Sequence, residues 1–168
     1  MDDKLFSNPE KNYQGNYWNH ILEQYKIYVQ MADNISERRS KTNTFFLSVN
    51  SFLLTALGIF TKIEFNADVG LWWLYVASAG GITFAITWYV LIRNYKTLNS
   101  GKFEVIHELE KKLPAAPYLK EWDIIRGDNN KKKYQKLTNI ESIVPIIFIG
   151  LYIALSVGTF IITLQVSS

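Results

Sequence analysis

The chain has 168 residues, 18 Lys and Arg against 15 Asp and Glu, a formal charge of +3 and no cysteine. That length allows one domain, or a few membrane helices with a modest soluble part, and the lack of cysteine excludes disulfides, thiolate metal sites and a cysteine nucleophile. Two isolated histidines, His20 and His107, do not suggest a metal site, and no metal or cofactor is expected.

Residues 1–16 form a polar tail that begins on the acidic MDD. It lacks the basic start and adjoining apolar region of a cleavable signal, so the first apolar block is expected to be retained. Residues 17–44 read as an amphipathic helix. Ile21, Tyr25, Tyr28, Ala32 and Ile35 recur at steps of four and three, the seam pattern of a coiled coil or bundle. Packing of this seam within one subunit or between subunits is equally open.

The first apolar block, FFLSVNSFLLTALGIFT at 45–61, carries no charge in 17 residues. A hydrocarbon core about 30 Å thick needs roughly 20 residues at 1.5 Å each, and extension to residue 63 past a snorkelling Lys62 completes the span. Proline is absent from 17–61 and glycine occurs only at Gly58, which predicts one helix running from the cytoplasm into the membrane. Ser48, Ser51 and Thr55 share a stripe with Gly58, and Asn50 lies beside it. An asparagine at membrane depth needs a polar partner. Interhelical glue is the simpler reading of these residues, and the lining of a polar path through a ring of subunits is the sharper one.

Residues 64–70 are an outer loop, and LWWLYVASAGGITFAITWYVLI at 71–92 is the second span. Trp72 and Trp73 at its outer end, with Trp88 and Tyr89 at its inner end, suit aromatic belts. The span carries a line of small residues, Ala77, Gly81 and Ala85. Residues 93–137 make a cytoplasmic segment. Its helix, with Leu98, Val105, Ile106, Leu109 and Leu113 on one broad face, is expected to stop at Leu113 before Pro114. Gly101 is its weak point. PAAP makes a turn, 118–125 a short helix carrying Trp122, and RGDNNKKK at 126–133 a loop.

Thr138 and Glu141 form a capping box that opens the third membrane helix, 138–164, with Pro145 within a turn or two of its start. Gly150, Ala154 and Gly158 follow at four-residue steps along it. Such small residues allow close helix approach in lipid, either inside one subunit or between subunits. Two such faces and a polar stripe exceed what three helices can satisfy, and this favours a homo-oligomer. Residues 165–168 are a short outer tail.

Six Lys and Arg precede the first span, eleven lie between the second and third, one lies in the outer loop and none follows the third. Seventeen against one reads as N-terminus in and C-terminus out. The chain is thus expected to be an all-α integral membrane protein with three transmembrane helices, two of them extended into the cytoplasm as amphipathic helices. Arg38 and Arg39, with Lys131, Lys132 and Lys133, are candidates for contact with anionic lipid headgroups, an ordinary solvated loop being the alternative. Acidic residues such as Glu104, Glu108 and Glu121 dilute the basic patch, so no nucleic-acid partner is expected. His107 beside Glu108 and Glu110 does not amount to a catalytic set, and no enzyme activity is expected.

YKIYVQMADNISERRSKTNTFFLSVNSFLLTALG at 25–58, RNYKTLNSGKFEVIHELEKKLP at 93–114 and YQKLTNIESIVPIIFIGLY at 134–152 resemble the RipA-like family of small bacterial inner-membrane proteins. That resemblance spans roughly residues 17–164. It implies a homo-oligomer of eight subunits in a bacterial cytoplasmic membrane, and brings no catalytic residues. A looser similarity is to the two-span membrane effectors of anti-phage systems, from which the third span departs. The functions these features suggest are a scaffold or regulated pore whose cytoplasmic helices receive a signal, an accessory subunit regulating a membrane or lipid enzyme through a protein partner, or a pore-forming defence effector.

Overall fold

A computed structural model describes residues 5–13, 15–60, 72–127 and 131–167, and their side chains except at 125–139 and 166–167. The outer loop at 64–70 lies outside the described residues. A short 3-10 turn at Glu10–Asn12 precedes four α-helices: α1 (Tyr17–Phe60), α2 (Trp72–Glu110), α3 (Pro117–Gly127) and α4 (Lys131–Ser167). No strand occurs among the described residues. Apolar stretches in α1, in α2 and at Ile140–Gln165 within α4 are long enough to cross a membrane. The chain is therefore all-α with three candidate spans.

Gly15, at φ 82°, sits just before α1 in a conformation that a side chain disfavours. α1 then runs 44 residues without interruption. α2 passes through Gly101 and stops at Glu110, three residues before the expected Leu113. Its end tightens through Lys112 N to the Leu109 carbonyl at 3.0 Å and Leu113 N to the Glu110 carbonyl at 2.9 Å.

The start of α4 differs from expectation. It begins at Lys131, so the Thr138–Glu141 pair lies inside the helix and does not open it. The expected loop at 126–133 is helical at both ends, 126–127 closing α3 and 131–133 opening α4, and 128–130 lie outside the described residues. Lysine is a good helix former and neither glycine nor proline interrupts 131–144, so propagation overrides the local capping signal. Pro145 is consequently an interior proline, and it leaves the Glu141 carbonyl without its usual donor. It is fully buried, and packing around it keeps the helix continuous.

The chain divides into two compact units. Unit 1 comprises Met1–Arg38 and Tyr95–Gln135. Its core is Ile21 and Ala32 of α1 with Ile106, Leu109 and Glu110 of α2. Tyr25, Tyr28 and Ile35 are half-buried, so the α1 seam is directed inward, within the subunit. Residues before α1 dock on the same unit. Trp18 Nε1 donates to Glu10 Oε1 at 2.9 Å, and the Lys112 ammonium lies 5.3 Å above the Phe6 ring.

Unit 2 comprises Arg39–Asn94 and Lys136–Ser168. Phe46 and Leu57 of α1, Leu74, Ala85, Trp88 and Ile92 of α2, and Phe148 and Tyr152 of α4 form its core. The Phe46 and Trp88 rings stack with centroids 6.0 Å apart, and Phe148 tilts against Trp88 at 6.1 Å. Trp88 Nε1 donates to Asn43 Oδ1 at 2.9 Å. Trp88, expected in an aromatic belt, is thus a core residue, because its N–H finds a partner inside the protein. Trp72 does remain outward, at 67% exposure.

Candidate functional site

Asn50 is fully buried in unit 2. Its Nδ2 donates to the Phe46 carbonyl at 2.8 Å, and its Oδ1 accepts from the Tyr152 hydroxyl at 3.3 Å. The same hydroxyl lies 3.4 Å from the Asn50 carbonyl. One tyrosine on α4 therefore answers the polar demand of α1. Ser48, Ser51 and Thr55 face the other way and are exposed, with the Thr55 hydroxyl returning to the Ser51 carbonyl at 2.8 Å. The stripe read along the first span thus divides into an inward asparagine and an outward set of hydroxyls.

The small residues divide in the same manner. Gly81 and Ala85 are buried and Ala77 half-buried. A methyl group at Gly81 would run into the Tyr152 ring, so this line seats α4 against α2 inside the subunit. Gly150 and Ala154 are exposed and Gly158 is half-buried, and an added Cβ at either glycine meets open space. The α4 line is free for a neighbour. A further outward set escaped the sequence reading. Gly80, Thr83 and Thr87 of α2 are exposed, the two hydroxyls donating to the carbonyls of Ala79 and Thr83 at 2.9 Å. Their steps of three and four carried the signal, which Gly81 next door masked.

Unit 1 holds a second polar centre. The Glu110 carboxylate, 1% exposed, accepts from the Tyr25 hydroxyl at 3.0 Å, Tyr118 N at 3.0 Å and Leu119 N at 2.9 Å. The last residue of α2 so caps the first turn of α3 while holding α1. Burial, the hydrogen bond and the charge of Glu110 together push the Tyr25 hydroxyl up to about 12. Phe103 meets Tyr118 at 5.8 Å and His107 meets Trp122 at 6.4 Å, which seats α3 on α2. Neither Glu110 nor Tyr152 was singled out from the sequence, because Glu110 meets Tyr25, 85 residues away, and Tyr152 meets Asn50, 102 residues away.

Of the basic residues, Arg38 is exposed, and Arg39 pairs with Glu141 at 3.6 Å, each side chain about a third exposed. Such a partly solvated pair contributes at most about 1 kcal/mol. The side chains of Lys131, Lys132 and Lys133 lie outside the described residues.

Three long apolar helices, packed through buried aromatic rings and a tyrosine–asparagine contact, define a polytopic all-helical membrane protein. The chain matches the model of the Octameric membrane protein family (8xMP) over residues 22–161 and belongs to that family. It is accordingly a homo-oligomeric membrane protein, in agreement with the resemblance drawn from its residues. No curated protein and no solved structure matches the chain.

Proposed function

We propose that the chain assembles as a homo-octamer in a bacterial cytoplasmic membrane, with its N-terminus and unit 1 in the cytoplasm and its C-terminus outside. It acts there as a non-enzymatic scaffold or regulated pore whose unit 1 receives a signal. The observation that carries this reading is the outward α4 face, where Gly150 and Gly158 meet open space. Lipid tails are as apolar as a leucine face, so helices associate in a bilayer by close packing, which small residues permit. The distribution of basic residues supports the orientation. Membrane lipids surround the assembly, with Arg38 and its basic neighbours at the headgroup level.

The test is Gly150→Leu combined with Gly158→Leu, Ala154 being left in place. An added Cβ at either position meets open space within the subunit, so helical content should persist while native mass spectrometry shows the octamer lost. An intact octamer in the double variant would move the interface off α4. A monomeric wild type in detergent and in cross-linked membranes would overturn assembly itself. The exposed hydroxyls of Ser48, Ser51 and Thr55 favour the pore form of the reading, since they leave a polar strip for a ring to enclose. Ion flux from liposomes holding the assembled protein supports that form, and tight liposomes leave the scaffold.

A further inference from the structure

We propose that neighbouring copies of this chain also touch outside the lipid, through the side of unit 1 formed by Ile27 and Met31 of α1 with Leu98 and Lys102 of α2. This inference rests on the assembly and orientation just proposed, and adds where the copies meet beyond the spans.

The four residues form one continuous side. Ile27 and Met31 stand one turn apart on α1, as Leu98 and Lys102 do on α2. The two pairs are joined where Lys102 Nζ reaches Met31 Sδ at 3.6 Å and lies 4.5 Å above the Tyr28 ring. Ile27 is 53%, Met31 40% and Leu98 57% exposed. The neighbouring side of α2, bearing Phe103 and His107, is covered by Tyr118 and Trp122 of α3. Among the described residues, nothing covers the Leu98 side to the same degree.

Exposed apolar residues in unit 2 are what lipid solvates, and they discriminate nothing. In unit 1, which carries most of the charged residues, the same exposure faces water and costs about 25 cal/mol per Å². All four residues lie outside the apolar spans at 45–63 and 71–92. Ile27 precedes Arg38 by 11 residues, about 16 Å along α1 at 1.5 Å per residue.

The family is octameric, so further copies of this chain stand beside it in the membrane, and another copy is the occupant we assign to it. Copies that cross the membrane in one direction carry unit 1 on one side of it, side by side. Rotation about the membrane normal makes each contact head to tail, so this patch meets a different patch on the next copy. Desolvation at such a contact also strengthens the attraction of Lys102 to the Tyr28 ring.

The chain has no cysteine, so Ile27→Cys, Leu98→Cys and the control Glu104→Cys each introduce a single thiol on the full-length protein. The rate of modification by a soluble maleimide is compared between the purified oligomer and the same protein dissociated in SDS. Thiols at 27 and 98 should react at least about tenfold slower in the oligomer, and the exposed position 104 at an unchanged rate. Ile27→Glu with Leu98→Glu should lower the subunit number on dilution while leaving the helical circular dichroism intact. An octamer whose thiols at 27 and 98 react as fast as in SDS overturns this contact and leaves the proposed function standing. A monomeric wild type overturns both.

Discussion

Gly81 and Gly150 are the same residue type in the same kind of helix, and they do opposite work. At Gly81 the missing side chain makes room for the Tyr152 ring, which is held in turn by its hydrogen bond to Asn50. Gly81→Ala should therefore lower stability by about 1–3 kcal/mol, the usual cost of forcing a methyl group into a packed core. Gly150→Ala meets open space within the subunit and should leave the stability of the dissociated subunit within about 0.5 kcal/mol of wild type, any cost falling on assembly. Thermal unfolding in detergent reads both, and equal midpoints for the two variants would remove the close-packing role of Gly81. The buried Asn50–Tyr152 contact itself is worth only about 0.6–2 kcal/mol, so its value is as much in setting the rotation of α1 and α4 as in stability.

At the scale of an element, α3 is short and depends on what caps it. Its first turn directs Tyr118 N and Leu119 N at Glu110, and no acidic residue of its own occupies that turn. Glu110→Gln keeps the shape and removes the charge from the cap. Losing a capping acceptor costs about 0.5–2 kcal/mol, so hydrogen exchange across 118–124 should accelerate ahead of the rest of the protein. Unchanged protection there would mean that the Phe103–Tyr118 and His107–Trp122 contacts hold α3 alone. Tyr25 gives the same corner a pH dependence. Its hydroxyl stays protonated up to about pH 12 in the folded unit, against about 10 when unfolded, chiefly through burial and then through Glu110. The neutral form is the one the fold favours, so this stability is complete below the unfolded value and disappears as pH climbs from 10 to 12. Tyr118 is shifted in the same direction, by burial and then Asp33. The unfolding midpoint should fall across that window, and Tyr25→Phe should make the fall shallower.

The whole molecule places two different cores on the same helices. Unit 1 hides a seam of aliphatic and tyrosine side chains with one carboxylate, and unit 2 hides stacked aromatic rings and an asparagine. In the proposed orientation unit 2 meets lipid, which accepts an apolar exterior, and unit 1 meets water, which does not. The proposed orientation makes a simple prediction in a chain without cysteine. A membrane-impermeant thiol reagent applied to intact cells should label Ser168→Cys and spare Asn19→Cys until the membrane is opened. Labelling in the reverse order would invert the topology.

The sequence by itself determined the all-α class, the three spans and the likeness to an octameric family. Hydropathy is a sum along some 20 residues and does not depend on how a helix is rotated about its axis. Rotation is what only the tertiary structure decided. Asn50 and Ser51 are adjacent in number, yet one is sealed against Tyr152 and the other faces out. Trp88 looked like a belt residue and is core, while the hydroxyls of Thr83 and Thr87 lie on the outside. Glu110 looked like one charge in a run and proved to be the cap of α3. The start of α4 at Lys131 escaped a capping signal that reads only four residues. For Asn50 and Trp88 the deciding partner lies elsewhere in the chain, at Tyr152 and Asn43, a distance over which local spacing carries no information.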